Sequence, residues 1–203
     1  MPASCIKMEF QKVLDNRHSI REFEKKSIPK LILKRLILNA AKAPSASNRQ
    51  PWKFYVVCSE DKIEKIRIYL KESLKILNKD ILKKPKRFQK IISKFYNNMG
   101  NCQNIIFIFR KKYKNEPVHF YYNDIASISC AAENLMLSAT NKKLGTCWVG
   151  SFKNPKTENK IKKLIKAEKN EELISSILIG YPKGDYIPLI RKKKRLNEVL
   201  KFI

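Results

Sequence analysis

Two short stretches of this chain carry the residue types that bind a small molecule. The first is Arg17-His18-Ser19-Ile20-Arg21-Glu22-Phe23. In an extended chain alternate residues face the same way, so Arg17, Ser19 and Arg21 share one side and Ile20 takes the other. Two guanidiniums and a hydroxyl in a row suit an oxyanion, because arginine meets phosphate with paired N–H donors. The same pattern also suits a solvated strand edge. The second stretch is Ala43-Pro44-Ser45-Ala46-Ser47-Asn48-Arg49-Gln50-Pro51-Trp52. Pro44 and Pro51 fix their own φ and disfavour helix at the residue before each. The result is a stiffened turn rich in hydroxyls and amides, groups that both donate and accept hydrogen bonds. A stiff polar turn wedged between packed elements fits a ligand site, and it fits a plain helix-to-strand connection equally well.

The elements that would position these stretches follow from periodicity. Ile6, Phe10, Val13 and Leu14 form one stripe of a short helix over 5–15. Ser27-Ile28-Pro29 opens a helix whose apolar residues lie on more than one side, which predicts burial. Trp52 to Val57 reads as a buried strand, being aromatic and β-branched. Residues 60–98 carry two amphipathic helical patterns separated by Pro85, with basic polar faces. Asn104 to Arg110 is apolar on both faces, the mark of a central strand. From about Phe120 to Lys143 runs the longest helix, lined with small residues that permit close packing, and Leu144-Gly145 is expected to end it with a left-handed cap. Thr146 to Phe152 is a short strand or turn in which Gly150 permits close approach of the backbone to another group. A helix over 156–166 and a strand over 173–179 follow, and then a basic tail, Arg191-Lys192-Lys193-Lys194-Arg195.

Length and composition set the limits. The 203 residues are 43% apolar, enough for one domain with a full core. The net charge of +26 suggests a polyanion partner, but the lysines are scattered through nearly every polar position. Salt-sensitive, unspecific sticking to nucleic acid is the expectation, rather than a specific nucleic-acid site. Five cysteines, at 5, 58, 102, 130 and 147, form no metal spacing with the two histidines and suit a reducing compartment. No signal peptide and no membrane span is visible, so a soluble cytoplasmic protein is expected. There is no G-x-G-x-x-G, no P-loop, no paired carboxylates and no Ser/His/Asp set.

Taken together, the motifs resemble those of the nitroreductase family. Arg17-His18-Ser19-Ile20-Arg21-Glu22-Phe23 is similar to the family's opening R-[RH]-S-[IVT]-[RK]-x-[FY]. Ala43 to Trp52 resembles A-P-S-[SA]-x-N-x-Q-P-W. Ala131-Ala132-Glu133-Asn134-Leu135-Met136-Leu137-Ser138-Ala139, with Leu144-Gly145 and Gly150, is similar to A-x-[QE]-N-[LM]-[LM]-L-x-A followed by L-G-x-x-x-x-x-G. Ile179-Gly180-Tyr181-Pro182 resembles the closing strand, and the motifs stand in the family's order.

The resemblance implies an α+β fold in a single domain over 1–203: a central, mostly antiparallel sheet flanked by helices and built as an intertwined homodimer. Residues 60–98 would be a helical excursion serving as a substrate lid, and 185–203 a C-terminal arm. It also implies FMN as cofactor and NADH or NADPH as co-substrate, working by ping-pong exchange: hydride passes to flavin N5, then to a flat acceptor such as a nitroaromatic or quinone. Dehalogenases, flavin-cleaving enzymes and ring-forming oxidases share the scaffold. Arg17, His18 and Ser19 would hold the phosphate end and Arg21 the pyrimidine edge. Pro44, Ser45, Ser47, Asn48 and Gln50 would come from the partner subunit. Trp148, Val149 and Gly150 would cover a flavin face, one of their N–H groups addressing N5. Arg191 and Lys193 would close on the phosphate. The family often has a glutamate where Gly150 stands here. No catalytic side chain is implied, since the cofactor carries the chemistry.

Overall fold

A strand apolar on both faces needs cover on both sides, and Asn104–Lys111 receives it. In the computed structural model, which describes residues 9–83, 85–184, 186 and 193–203, this segment is buried over seven of its eight residues. The elements in chain order are α1 (Phe10–Asn16), α2 (Lys30–Ala40), β1 (Lys53–Val57), α3 (Glu60–Leu82) and α4 (Lys86–Asn98), then β2 (Asn104–Lys111), α5 (Val118–Asn141), β3 (Gly145–Trp148), α6 (Pro155–Ile165) and β4 (Glu171–Gly180). The sheet order is β1-β2-β4-β3, with every neighbouring pair antiparallel.

The alternation of side chains along β2 sorts the core into two halves. Ile105, Phe107 and Phe109 meet Ile63, Ile66, Leu70 and Phe95 from α3 and α4 and Ile161 from α6. Ile106 and Ile108 meet Leu33 and Leu36 from α2 and Ile128, Ala132 and Leu135 from α5. The small residues of α5 bring that helix close to the sheet, and Ala131, Ala132 and Ala139 are fully buried. The fold is thus the expected α+β arrangement of a mostly antiparallel sheet between helical layers. Among the described residues, no helix is long and apolar enough to cross a membrane.

Three expectations need correction. The strand at Lys53–Val57 is not buried: it is the sheet's edge, paired only to β2, and Val57 is its one buried residue. Helix α2 is not apolar all round in effect, because Leu31 and Leu38 stay 66% and 65% exposed while Leu33 and Leu36 enter the core. Gly145 does not cap α5. Lys143 takes the left-handed position at φ 57°, and Gly145 opens β3 instead. A Cβ there would fall 2.7 Å from Ile20 Cγ1, so its reason for being glycine is packing.

The stretch Arg17–Phe23 is held in the fold by its backbone. Ile20 N–H donates to Thr146 O at 2.8 Å, and Phe23 N–H donates to Gly100 O at 2.7 Å. Glu24 N–H donates to Tyr181 O at 2.9 Å, and Lys183 N–H to Glu22 O at 3.1 Å. Gly100 sits at φ 61°, and a Cβ on it would lie 2.0 Å from the Arg21 carbonyl oxygen.

The turn Ala43–Trp52 is held by charge. Ser47, Asn48 and Gln50 all adopt positive φ, at 51°, 52° and 45°, a conformation that costs non-glycine residues energy. Between them Arg49 reaches inward, donating from Nε to Asp124 Oδ1 at 3.1 Å and from Nη2 to Asp124 Oδ2 at 3.3 Å. Its guanidinium stacks over Phe120 at 4.6 Å and lies 3.5 Å from Glu116. Asp124 also meets the buried Arg110 at 3.5 Å, and Arg110 pairs with Glu116 and with Glu172. Asp124 and Arg110 are each 1% exposed.

Two outcomes test these two anchors. Gly100→Ala combines a left-handed backbone with a backbone collision and is expected to cost about 2–4 kcal/mol, read as a lower urea midpoint at unchanged m-value. Asp124→Asn keeps the shape but leaves Arg49 and Arg110 short of a buried counter-charge. A loss of about 3–5 kcal/mol is expected for removing one partner of such a set, together with faster proteolytic nicking at 44–51.

Candidate functional site

The bridge that joins Ser19 to Thr146 is parallel, so the two segments run side by side and Arg21 comes level with Trp148 at the end of β3. Its charge is felt there: burial pushes the Cys147 thiol up, and the Arg21 guanidinium pulls against that rise. Arg21 Nη1 donates to Ser19 O at 3.3 Å, and Tyr186 OH donates to the same carbonyl at 3.4 Å. Arg17 lies 3.5 Å from Glu133 on α5, both side chains partly exposed. Arg17, Ser19 and Arg21 are all half-buried. At roughly 3.3 Å per residue, Arg17 and Arg21 are about 13 Å apart along the chain.

Just past β3 the backbone is partly committed and partly open. Val149 N–H donates to Ser176 O at 2.8 Å, and Ser176 Oγ donates to Val149 O at 2.6 Å. Val149 therefore faces the sheet with both polar groups, and the next N–H along is that of Gly150. Gly150 is exposed, and a Cβ built on it meets nothing within 4 Å. Trp148 beside it is 40% exposed. Tyr96 of α4 closes over this end by a 2.7 Å hydrogen bond between its hydroxyl and Ser151 Oγ. A hollow of about 430 Å³ lies between Arg21 and α4, with Asn98, Asn101 and Tyr186 in its wall.

The structure brings Ser19 and Arg21 alongside β3, with Trp148 at its end and Val149 and Gly150 just past it, while Arg17 meets Glu133 on α5. It does not bring His18 there. Alternation turns His18 with Ile20 to the other side, into a separate hollow of about 260 Å³ with Lys143 and Pro182. Pro44, Ser47, Asn48 and Gln50 are exposed and Ser45 half-buried, on a turn that leads into β1. Ser45 Oγ accepts from Gln50 N–H at 3.1 Å, and Gln50 Nε2 donates to Asn48 Oδ1 at 3.1 Å. The turn attaches to α5 at Asp124 and the Arg17 segment at Glu133, about 13 Å apart at 1.5 Å rise per residue. β1 and β3 also form opposite edges of the sheet, about 14 Å apart at 4.8 Å per strand. Arg191 lies outside the described residues, and Lys193 beyond it is exposed.

Sequence reasoning missed several participants. Arg49 stands at a variable position of its motif, and its partner Asp124, 75 residues away on α5, has no local pattern to single it out. Gly100, Asn98 and Asn101 had no signal beyond lying just before the central strand. The buried thiols take no visible part: burial pushes Cys102 up to about 12, which keeps it protonated and inert.

Comparison with known proteins agrees with this architecture. The Nitroreductase family profile matches residues 14–181. An iodotyrosine deiodinase of Haliscomenobacter hydrossis is 26% identical, the match covering 92% of this chain and 86% of that protein. A Bacillus subtilis protein provisionally named an NAD(P)H nitroreductase is 25% identical over 92% of this chain and 90% of its own. A Bacteroides fragilis nitroreductase crystallised with bound FMN superposes with a TM-score of 0.71 at 19% identity, covering 97% of this chain and 99% of that one. With the profile spanning both the Arg17–Phe23 segment and the Pro44–Trp52 turn, the chain belongs to the nitroreductase family.

Proposed function

We propose that the protein is an FMN-dependent oxidoreductase that takes hydride from NADH or NADPH and delivers it to a flat acceptor such as a nitroaromatic or quinone. One observation carries the reading: an extended segment bearing two guanidiniums and a hydroxyl runs beside β3, and an open, exposed Gly150 follows just past that strand's end. The residues fit the cofactor. Arg17 and Ser19 suit a phosphate dianion, which takes charge-assisted bonds from guanidinium and hydroxyl. Arg21, about 13 Å further on, suits the polar pyrimidine edge of a ring joined to that phosphate by a sugar-alcohol chain. Gly150 leaves the room beside its backbone that a flat ring needs, and its N–H is the donor left over once Val149 has turned to Ser176. When bound, FMN supplies the two-electron chemistry at N5. The chain supplies binding, orientation and a cationic surround.

The site is completed by a second copy of the chain in this reading. Within one protomer the turn Pro44–Gln50 sits on the far edge of the sheet from Arg21, with its amides facing outward. Phe10, Leu31 and Leu38 are each about two-thirds exposed, at 67%, 66% and 65%, and Val56 of the edge strand is 38% exposed. Of these, Leu38 and Val56 border one apolar hollow with Leu33 and Ile37, and an exposed apolar patch marks an association surface. A homodimer carries two such sites. Arg191 and Lys193 are offered as further phosphate contacts, and 60–98 as the segment shaping acceptor access.

A second reading, reductive dehalogenation on the same flavin, draws support from the relative named iodotyrosine deiodinase. Turnover of a halotyrosine with release of halide, at a rate exceeding nitroaromatic reduction, would favour it.

The visible spectrum of the purified protein tests the reading. Flavin bands that bleach anaerobically with NADH or NADPH are expected. A colourless protein that takes up no added FMN sinks it. Arg17→Ala is expected to weaken FMN binding about 10- to 100-fold, the worth of one charge-assisted bond. Its melting point should hold, because a partly exposed pair such as Arg17–Glu133 contributes little.

A further inference from the structure

The hollow between Arg21 and α4 has a wall of uneven charge. Arg21, Lys90, Lys94 and Lys183 line it against one carboxylate, Glu22. That carboxylate is already taken, since Lys94 Nζ donates to Glu22 Oε1 at 2.6 Å. Lys90 has no ion-pair partner among the described residues. Residues 90, 91, 94 and 95 share one face of α4, because positions four apart on a helix lie one above the other. The face is therefore half cationic and half apolar, with Ile91 and Phe95 beside the two lysines. Phe95 is anchored in the core at 6% exposure, so the apolar half is a fixed wall.

We infer that this hollow is the acceptor's subsite and that it selects a flat acceptor bearing an anionic group, with Lys90 as the specificity-determining contact. An aromatic ring lies against Ile91 and Phe95, and its carboxylate, sulfonate or phosphate meets Lys90. The lysines are not needed for the cofactor's phosphate, which belongs about 13 Å away at the Arg17 end of the segment. Nor is the charge a mere sample of a basic surface. The cations here converge on one concave space where, among the described residues, the one lining acid is already paired, and concavity between low-dielectric walls strengthens their field. The inference rests on the flavin reading for its role in the reaction, but the binding it asserts does not require flavin.

The experiment is equilibrium binding of two probes of equal size, 4-nitrobenzoate and the uncharged 4-nitrobenzamide, to the purified protein as isolated. 4-Nitrobenzoate should bind about tenfold more tightly, the effect of an unscreened cation at close range, and added salt should narrow the gap. Lys90→Gln should weaken 4-nitrobenzoate about fivefold or more and leave 4-nitrobenzamide within about twofold. Lys65→Gln, which removes the same charge from the exposed face of α3, should alter neither. Equal binding of the two probes, no binding of either, an unaffected Lys90→Gln, or an equal loss in Lys65→Gln overturns the proposal. Flavin absorbance is recorded on the same sample. A yellow protein without charge preference removes this inference and keeps the flavin reading. A colourless protein with a Lys90-dependent preference does the reverse.

Discussion

Everything at the candidate site depends on one extended hexapeptide having nowhere else to go. Ile20 to Lys25 is clamped from three directions: β3 through Thr146, the end of β4 through Tyr181, and the turn before β2 through Gly100. Three of the chain's five glycines touch it. Gly145 makes room for Ile20, Gly180 for Phe23 and Gly100 for the Arg21 carbonyl. With Ile20 packed against the core, the alternation turns Arg21 to the opposite side. The placement of the guanidiniums follows from packing on the opposite face, and no hydrogen bond to their own heads is needed to set it.

The turn at 44–51 solves a different problem by a different means. It must present amides outward from a tight bend, and it does so with three non-glycine residues at positive φ. Such a bend relaxes unless something over-determines it. Arg49 does so, drawn into a cluster where the carboxylates of Asp124 and Glu116 outnumber the Arg110 guanidinium. Burial of that many charges is not a source of net stability. Its value lies in geometry, since a bidentate guanidinium bond fixes both the depth and the angle of the turn.

Much of this was legible in the sequence. Local patterns revealed what local physics controls: the central strand from its two apolar faces, α5 from its small residues, and the break at Pro85. What stayed hidden was set by partners distant in the chain. That β1 is an edge depends on which strand lies beside it, not on its own Phe54 or Val56. The charge cluster draws on positions 49, 110, 116, 124 and 172, and no window contains them. Gly145 read as a cap because it follows a helix, while its true neighbour, Ile20, lies 125 residues earlier.

That last separation has a consequence for how the molecule comes into being. The segment carrying Arg17 and Arg21 precedes all its docking partners, Gly100, Thr146 and Tyr181, in the chain. During translation it can meet Thr146 and Tyr181 only after those residues have left the ribosome. Contacts of such long range form late and slowly. The segment that carries the candidate site is thus also a seam that closes the fold.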